Sequence, residues 1–135
     1  MKIYNEQIAL QSQKPREVFN ITTRVKAAAE KSAVREGMVL VSSLNSATAI
    51  MVNEDEPGLL EDLADWLAGV ASAGEARTHE GQENGHISFR RALLPHQIVI
   101  PITEGRLELS AGQRVLFIEL DGLRPRRVIV KVIGE

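Results

Sequence analysis

A chain of 135 residues with 44% hydrophobic and 25% charged residues has enough material for one core, which excludes disordered and fibrous classes. Its zero cysteines exclude a disulfide, a thiolate nucleophile and any cysteine-based zinc or iron–sulfur site. A formal net charge of −2 offers no general attraction to nucleic acid or anionic lipid, and no apolar run approaches the ~20 residues of a bilayer span, so one cytoplasmic domain over residues 1–135 is expected, without membrane or nucleic-acid partner.

Taken in chain order, residues 2–10 and 18–21 read as strands built on Ile3, Ile8 and Leu10 and on Val18, Phe19 and Ile21, with Pro15 in the turn between them. Thr22 or Thr23 is placed to cap a helix whose apolar residues Val25, Ala28 and Ala29 recur at helical spacing, and Glu36-Gly37 is placed to end it. The apolar runs 38–41 and 47–52 predict strands covered on both faces. Joined by the polar segment 42–46, they read as a core hairpin.

From Pro57, the residues Leu59, Leu60, Leu63, Trp66, Leu67 and Val70 form an apolar stripe opposite Glu61, Asp62 and Asp65, the clearest helix in the chain. Residues 69–85 are small and polar and read as a long loop, followed by a short helix through Ile87, Phe89, Leu93 and Leu94 that stops at Pro95. Strands at 98–100, 107–109, 115–120 and 128–133 predict a largely antiparallel closing meander. The pattern adds up to an α+β fold, a mostly antiparallel sheet with two to three helices packed against it.

Several residues invite chemistry. His79, Glu80, Glu83 and His86 read either as a metal cluster or as solvated loop residues, and Gly81 and Gly85 spoil the helical spacing of a His-Glu-x-x-His site. Asn45 and Ser46 interrupt apolar strands, as site lining or as an exposed hairpin end. Asn53 and Glu54 precede the Pro57 helix, where capping competes with a functional role. Glu119 lies in an apolar strand and needs a cation such as Arg106 or Arg124, as a structural pair or as a catalytic base. Arg124, Arg126, Arg127 and Lys131 form a basic cluster that reads either as a phosphate contact or as a solvated turn.

The order Asn20-Ile21-Thr22, Ala47-Thr48-Ala49-Ile50, Asn53-Glu54, Glu80-Gly81, Glu104-Gly105-Arg106-Leu107-Glu108-Leu109, Gln113 and Glu119-Leu120-Asp121-Gly122-Leu123-Arg124 resembles the YjbQ-like family, also called secondary thiamine-phosphate synthase. The resemblance covers nearly the whole chain and implies a compact α+β fold, a homotrimer and an inter-subunit site with histidines suited to a metal or an anion. Carried over residue by residue, the family's three histidines fall on Asn45, Arg77 and Ser88, and its Gly-Thr-Trp-Gln falls on Ser110-Ala111-Gly112-Gln113. His79 and His86 each stand two residues from an aligned histidine position.

The resemblance therefore implies a remodelled pocket around Asn45, Ser46, Arg77, Glu80, Ser88 and Gln113, taking a small anionic or phosphate-bearing ligand and no cofactor. Arg77 cannot ligate a metal but can grip phosphate or carboxylate through two N–H donors. Two other readings stay open. One is an active enzyme of the thiamine-phosphate synthase type using Glu80, Glu119, Arg77 or a displaced histidine; the other is a structural or interaction protein with no ligand site.

Overall fold

The computed structural model describes residues 1–70 and 93–135. Eight strands and two helices run β1 (Lys2–Gln11), β2 (Glu17–Asn20), α1 (Thr22–Ser32), β3 (Glu36–Ser43), β4 (Thr48–Glu54), α2 (Leu59–Val70), β5 (Gln97–Thr103), β6 (Arg106–Leu107), β7 (Gln113–Glu119) and β8 (Pro125–Gly134). They build a five-stranded sheet in the order β1-β8-β3-β5-β6 and a three-stranded sheet in the order β2-β7-β4. Every strand pair is antiparallel, so the expected α+β class with a mostly antiparallel sheet holds.

The two sheets are held together by what alternates inward. In the larger sheet Ile8, Val39, Val41, Ile100, Ile102, Val128, Val130 and Val132 share one buried face. From the smaller sheet Val115 and Phe117 meet them, and α1 adds Val25, Ala28 and Ala29. Phe117 packs edge-on against Phe19 across the β2–β7 pair, with ring centroids 5.8 Å apart. The alternate residues of β7, Leu116 and Ile118, face a second cluster with Ala49 and Leu94, against which Leu59, Leu60 and Leu63 of α2 pack. Strand β7 is thus buried on both faces from Val115 to Glu119, which is why its sequence runs apolar without alternation.

Several expectations are corrected. The runs 38–41 and 47–52 are strands, but they do not form a hairpin: β3 belongs to the larger sheet and β4 to the smaller. The polar segment between them carries the chain from one sheet to the other. The last strands are no meander either, because β7 pairs with β2 and β4 while β8 pairs with β1 and β3. Periodicity reports which face of a strand is covered and carries no information on its partner. The strand expected at 107–109 shrinks to β6, and Leu93 and Leu94 lie in a turn rather than a helix. The rest of that expected helix, the long loop after residue 70 and the side chains of Leu67 and Val70 fall outside the described residues.

Helix α1 begins where its sequence signal lay but by another device. Ile21 occupies the N-cap position without a side-chain cap, and Asn20 Oδ1 accepts from the Thr22 N–H (3.1 Å) and hydroxyl (2.6 Å). The Thr22 hydroxyl in turn accepts from the Val115 N–H at 2.8 Å, and Ile21 N–H donates to Val115 O at 2.9 Å. Instead of capping the helix, Thr22 opens it and stitches it to the buried strand. The helix stops four residues before Glu36, at Ser32, with Ala33 left-handed (φ 58°). Glu36 and Gly37 open β3 instead. Gly37 is required there, since a Cβ would strike the backbone of Ile133 and Gly134.

Thr22→Val keeps the shape but leaves the buried Val115 N–H without an acceptor, so urea unfolding is expected to show a loss of about 1–3 kcal/mol. A midpoint equal to that of the parent would contradict the stitching role.

Candidate functional site

The polar crossover from β3 to β4 is closed by a compact network. The hydroxyls of Ser43 and Thr48 are in mutual hydrogen-bond contact, and both reach Asn45 O, at 3.3 and 3.0 Å. Asn45 N–H donates to Ser43 Oγ at 3.3 Å. The crossover is tied outward by Ser43 N–H to His96 O (2.8 Å) and by Leu120 N–H to Ala47 O (3.1 Å). Within this network Asn45 Oδ1 is buried and accepts no hydrogen bond among the described residues. A buried acceptor left unpaired costs about 1–3 kcal/mol, so this side chain calls for a donor.

His96 joins the same place. Its Nδ1 lies 2.9 Å from Thr48 O. A carbonyl only accepts, so Nδ1 carries a proton and donates to Thr48 O. The signal of His96 in the sequence was slight, a histidine after Pro95 at the start of a strand.

Glu119 closes the deep side. It is fully buried, and Arg126, 6% exposed, donates to it through Nε (2.8 Å) and an Nη (3.1 Å). The same guanidinium donates to Asp121 O (2.8 Å), and Asp121 N–H donates to the second Glu119 oxygen (3.1 Å). The partner is therefore Arg126 and not the expected Arg106 or Arg124. With both carboxylate oxygens engaged and the group fully buried, the geometry is that of a structural ion pair. Strand alternation also dissolves the expected basic cluster: Arg126 turns inward, while Arg124, Arg127 and Lys131 are exposed.

Gln113 lies elsewhere. It pairs with Glu54 at one end of the β4–β7 ladder, whereas Thr48 pairs with Glu119 at the other. Six strand steps at ~3.3 Å separate the two ends by about 20 Å. The Gln113 side chain accepts from Ser110 N–H at 2.9 Å, closing the turn before β7. A single chain thus does not bring Asn45 and Gln113 together. Ser46 sits beside Asn45 in the crossover, exposed. Arg77, His79, Glu80, Glu83, His86 and Ser88 lie outside the described residues, and among the described ones no group of three or more His, Asp or Glu could hold a metal ion.

Asn53 and Glu54 do not cap α2 through their side chains among the described contacts. Asn53 Oδ1 accepts from Glu54 N–H (2.8 Å), and Glu54 lies against Gly112. Glu54 also shares a hydrogen bond with Glu56, whose carboxyl is held above its usual range first by that bond and then by the like charge of Glu54.

A two-sheet α+β fold with a polar crossover at one end and a glutamine-bearing turn at the other defines the class of protein. The chain belongs to the UPF0047 family of YjbQ-like proteins, whose model matches residues 6–135. It is 36% identical over 128 residues to a UPF0047 protein of Archaeoglobus fulgidus, covering 94% of this chain and 99% of that one. It is 34% identical to a UPF0047 protein of Methanothermobacter thermautotrophicus, covering 100% and 95%. Among solved structures, a YbjQ-like protein of unknown function from Sulfolobus solfataricus superposes with a TM-score of 0.87 at 29% identity over 99% of both chains. A hypothetical protein from Aeropyrum pernix gives 0.83 at 26% over 97% and 98%.

Two outcomes test this geometry. Arg126→Leu strands a buried carboxylate and should cost about 3–5 kcal/mol in urea unfolding, against less than 1 kcal/mol for a similar change at exposed Arg127. Glu54→Gln should lower the Glu56 titration midpoint, followed by carboxyl carbon NMR, toward its ordinary value. Because the folded-state pKa of Glu56 is raised, its contribution to stability is full below the ordinary carboxylate pKa and is lost as pH rises through the raised one.

Proposed function

We propose that this chain is a divergent YjbQ-like protein, built as one domain and assembled as a homotrimer, whose inter-subunit pocket binds a small anionic or phosphate-bearing ligand without histidine-dependent catalysis. The observation that carries the reading is the buried Asn45 Oδ1 with no donor among the described residues, at a position where the family resemblance puts a site histidine. A donor from a ligand or a neighbouring copy completes it. The same amide offers N–H donors to an oxyanion, and Arg77, by its sequence alignment, supplies the cation.

The separation of Asn45 from Gln113 along β4 and β7 favours a site shared between copies, with Gln113 brought by a neighbour. A surface for such assembly is at hand. One face of the larger sheet carries Ile3 (63% exposed), Met38 (45%) and Val99 (57%), and the register sets Ile3, Ile133, Met38 and Pro101 side by side in one row. The adjoining row pairs Leu40 with Val99 on one side and with exposed Lys131, next to Asn5, on the other, so the apolar area is bounded there by polar side chains. An apolar patch of this kind, with no helix over it among the described residues, favours burial against a partner. No helix of the described residues is long and apolar enough to cross a membrane; a cytoplasmic location is part of the proposal.

Light scattering should return three times the chain mass of 14.9 kDa, and Met38→Lys with Val99→Lys should return the mass of one. Calorimetric titration should show binding of inorganic phosphate and not of zinc. Arg77→Ala should weaken phosphate by about 1–3 kcal/mol with assembly intact. Unchanged phosphate affinity in that variant, or tight zinc binding by the parent, would overturn the reading and restore a histidine-based site.

A further inference from the structure

We infer a second oxyanion-binding site, separate from the Asn45 crossover, in the cleft between α1 and the β5–β6 turn. Lys26, Ala29 and Glu30 of α1 and Gly105, Arg106 and Leu107 of the turn line a cavity of about 230 Å³. That space suits a small organic acid or phosphate and is too small for a nucleotide.

Lys26 and Glu30, one turn apart on α1, line one wall and Arg106 the other, all three exposed to solvent. Neither Lys26 nor Arg106 makes an ion pair or a side-chain hydrogen bond among the described residues. A third cation stands close, since Arg35 Nη1 lies 3.6 Å from where a Cβ on Gly105 would be. The floor is apolar, from buried Ala29 and half-buried Leu107. Unpaired cations over an apolar floor recognise a small molecule with an anionic head and a short hydrocarbon body. Glu30 restricts it further, favouring a hydroxyl or amino group beside the anionic head.

The turn is fixed rather than adaptable. Glu104 (φ 51°) and Gly105 (φ 81°) are both left-handed, Glu104 N–H donates to Glu36 Oε1 (3.0 Å) and Gly105 N–H to Arg35 O (2.9 Å). With its backbone so held, the turn presents Arg106 without rearrangement of the chain, and only the exposed side chain is ordered on binding. This also gives the Gly105-Arg106-Leu107 motif, which takes no part in the crossover site, a task beyond turning the chain.

The two sites are far apart. The turn adjoins the Glu36 end of β3, where Glu36 pairs with Thr103, while Asn45 follows its Ser43 end. Seven strand steps at ~3.3 Å put more than 20 Å between them. The experiment therefore resolves them by residue. Inorganic phosphate is titrated into labelled protein at constant ionic strength, and backbone amide shifts are followed at residues 26–30 and 104–107. Saturable shifts there, weakened at least tenfold in the double variant Lys26→Gln and Arg106→Gln, support the site whatever happens at Asn45. Linear or absent shifts at those amides in the parent protein overturn it, as does unchanged affinity in the double variant. Should the double variant fail to fold, the parent titration decides alone. Acetate in place of phosphate separates a carboxylate from a phosphate preference.

Discussion

The arrangement of the two sheets hangs on the buried contact between Glu119 and Arg126. Glu119 ends β7 in the smaller sheet and Arg126 begins β8 in the larger, so their two charge-assisted hydrogen bonds span the connection between layers. Burying two charges is costly, and Asp121 offsets part of that cost with one further hydrogen bond to each partner. The gain over an apolar pair is geometric. A bidentate guanidinium fixes the angle at which the chain leaves one sheet for the other, and with it the position of the 121–124 turn and of the crossover beside it.

At the opposite end of β7 the sheets are joined by different means. Thr22 binds the Val115 N–H and Phe117 packs on Phe19, while α1 fills the space between layers with small residues, Ala28 and Ala29. Small side chains let the helix approach the sheet closely. The outcome is a strand sealed on both faces and pinned at both ends, which leaves the polar groups that remain unpaired at the crossover and at the β5–β6 turn as the places where a ligand could add something.

How far the sequence reveals this depends on the range of the interaction. The helix through Val25, Ala28 and Ala29, the helix after Pro57 and nearly all the strands follow from local periodicity, and the family resemblance supplies the class. Pairing partners do not follow, because β3 and β4 have the same apolar pattern whether they form a hairpin or enter separate sheets. Glu119 was readable as a charge in need of a partner. That the partner is Arg126, and not Arg124 two residues before it, is not a matter of alternation, since both have the same parity; it depends on where the turn ends, because β8 begins at Pro125 and leaves Arg124 outside the strand. Trp66 shows the reverse failure: it belongs to the apolar stripe of α2 yet is 52% exposed, since a stripe wider than the surface it meets leaves one edge in solvent. His96 was missed because its Nδ1 finds Thr48 O from 48 residues away, beyond any local signal. The crossover site was legible in part: Asn45 and Ser46 sit together there, and Gln113 does not.

The most direct test of a pocket shared between copies is complementation. Asn45→Ala and Gln113→Ala, each deficient in phosphate binding at the crossover, are unfolded, mixed in equal amounts and refolded together, and phosphate binding there is measured by the backbone amide shifts of residues 43–48, which the cleft beside α1 does not touch. In randomly mixed trimers about one quarter of the sites unite an intact Asn45 with an intact Gln113 from its neighbour, so the account predicts recovery of about that fraction. Mixed trimers that bind no more phosphate than the separate variants, or single variants that bind as the parent does, would contradict it.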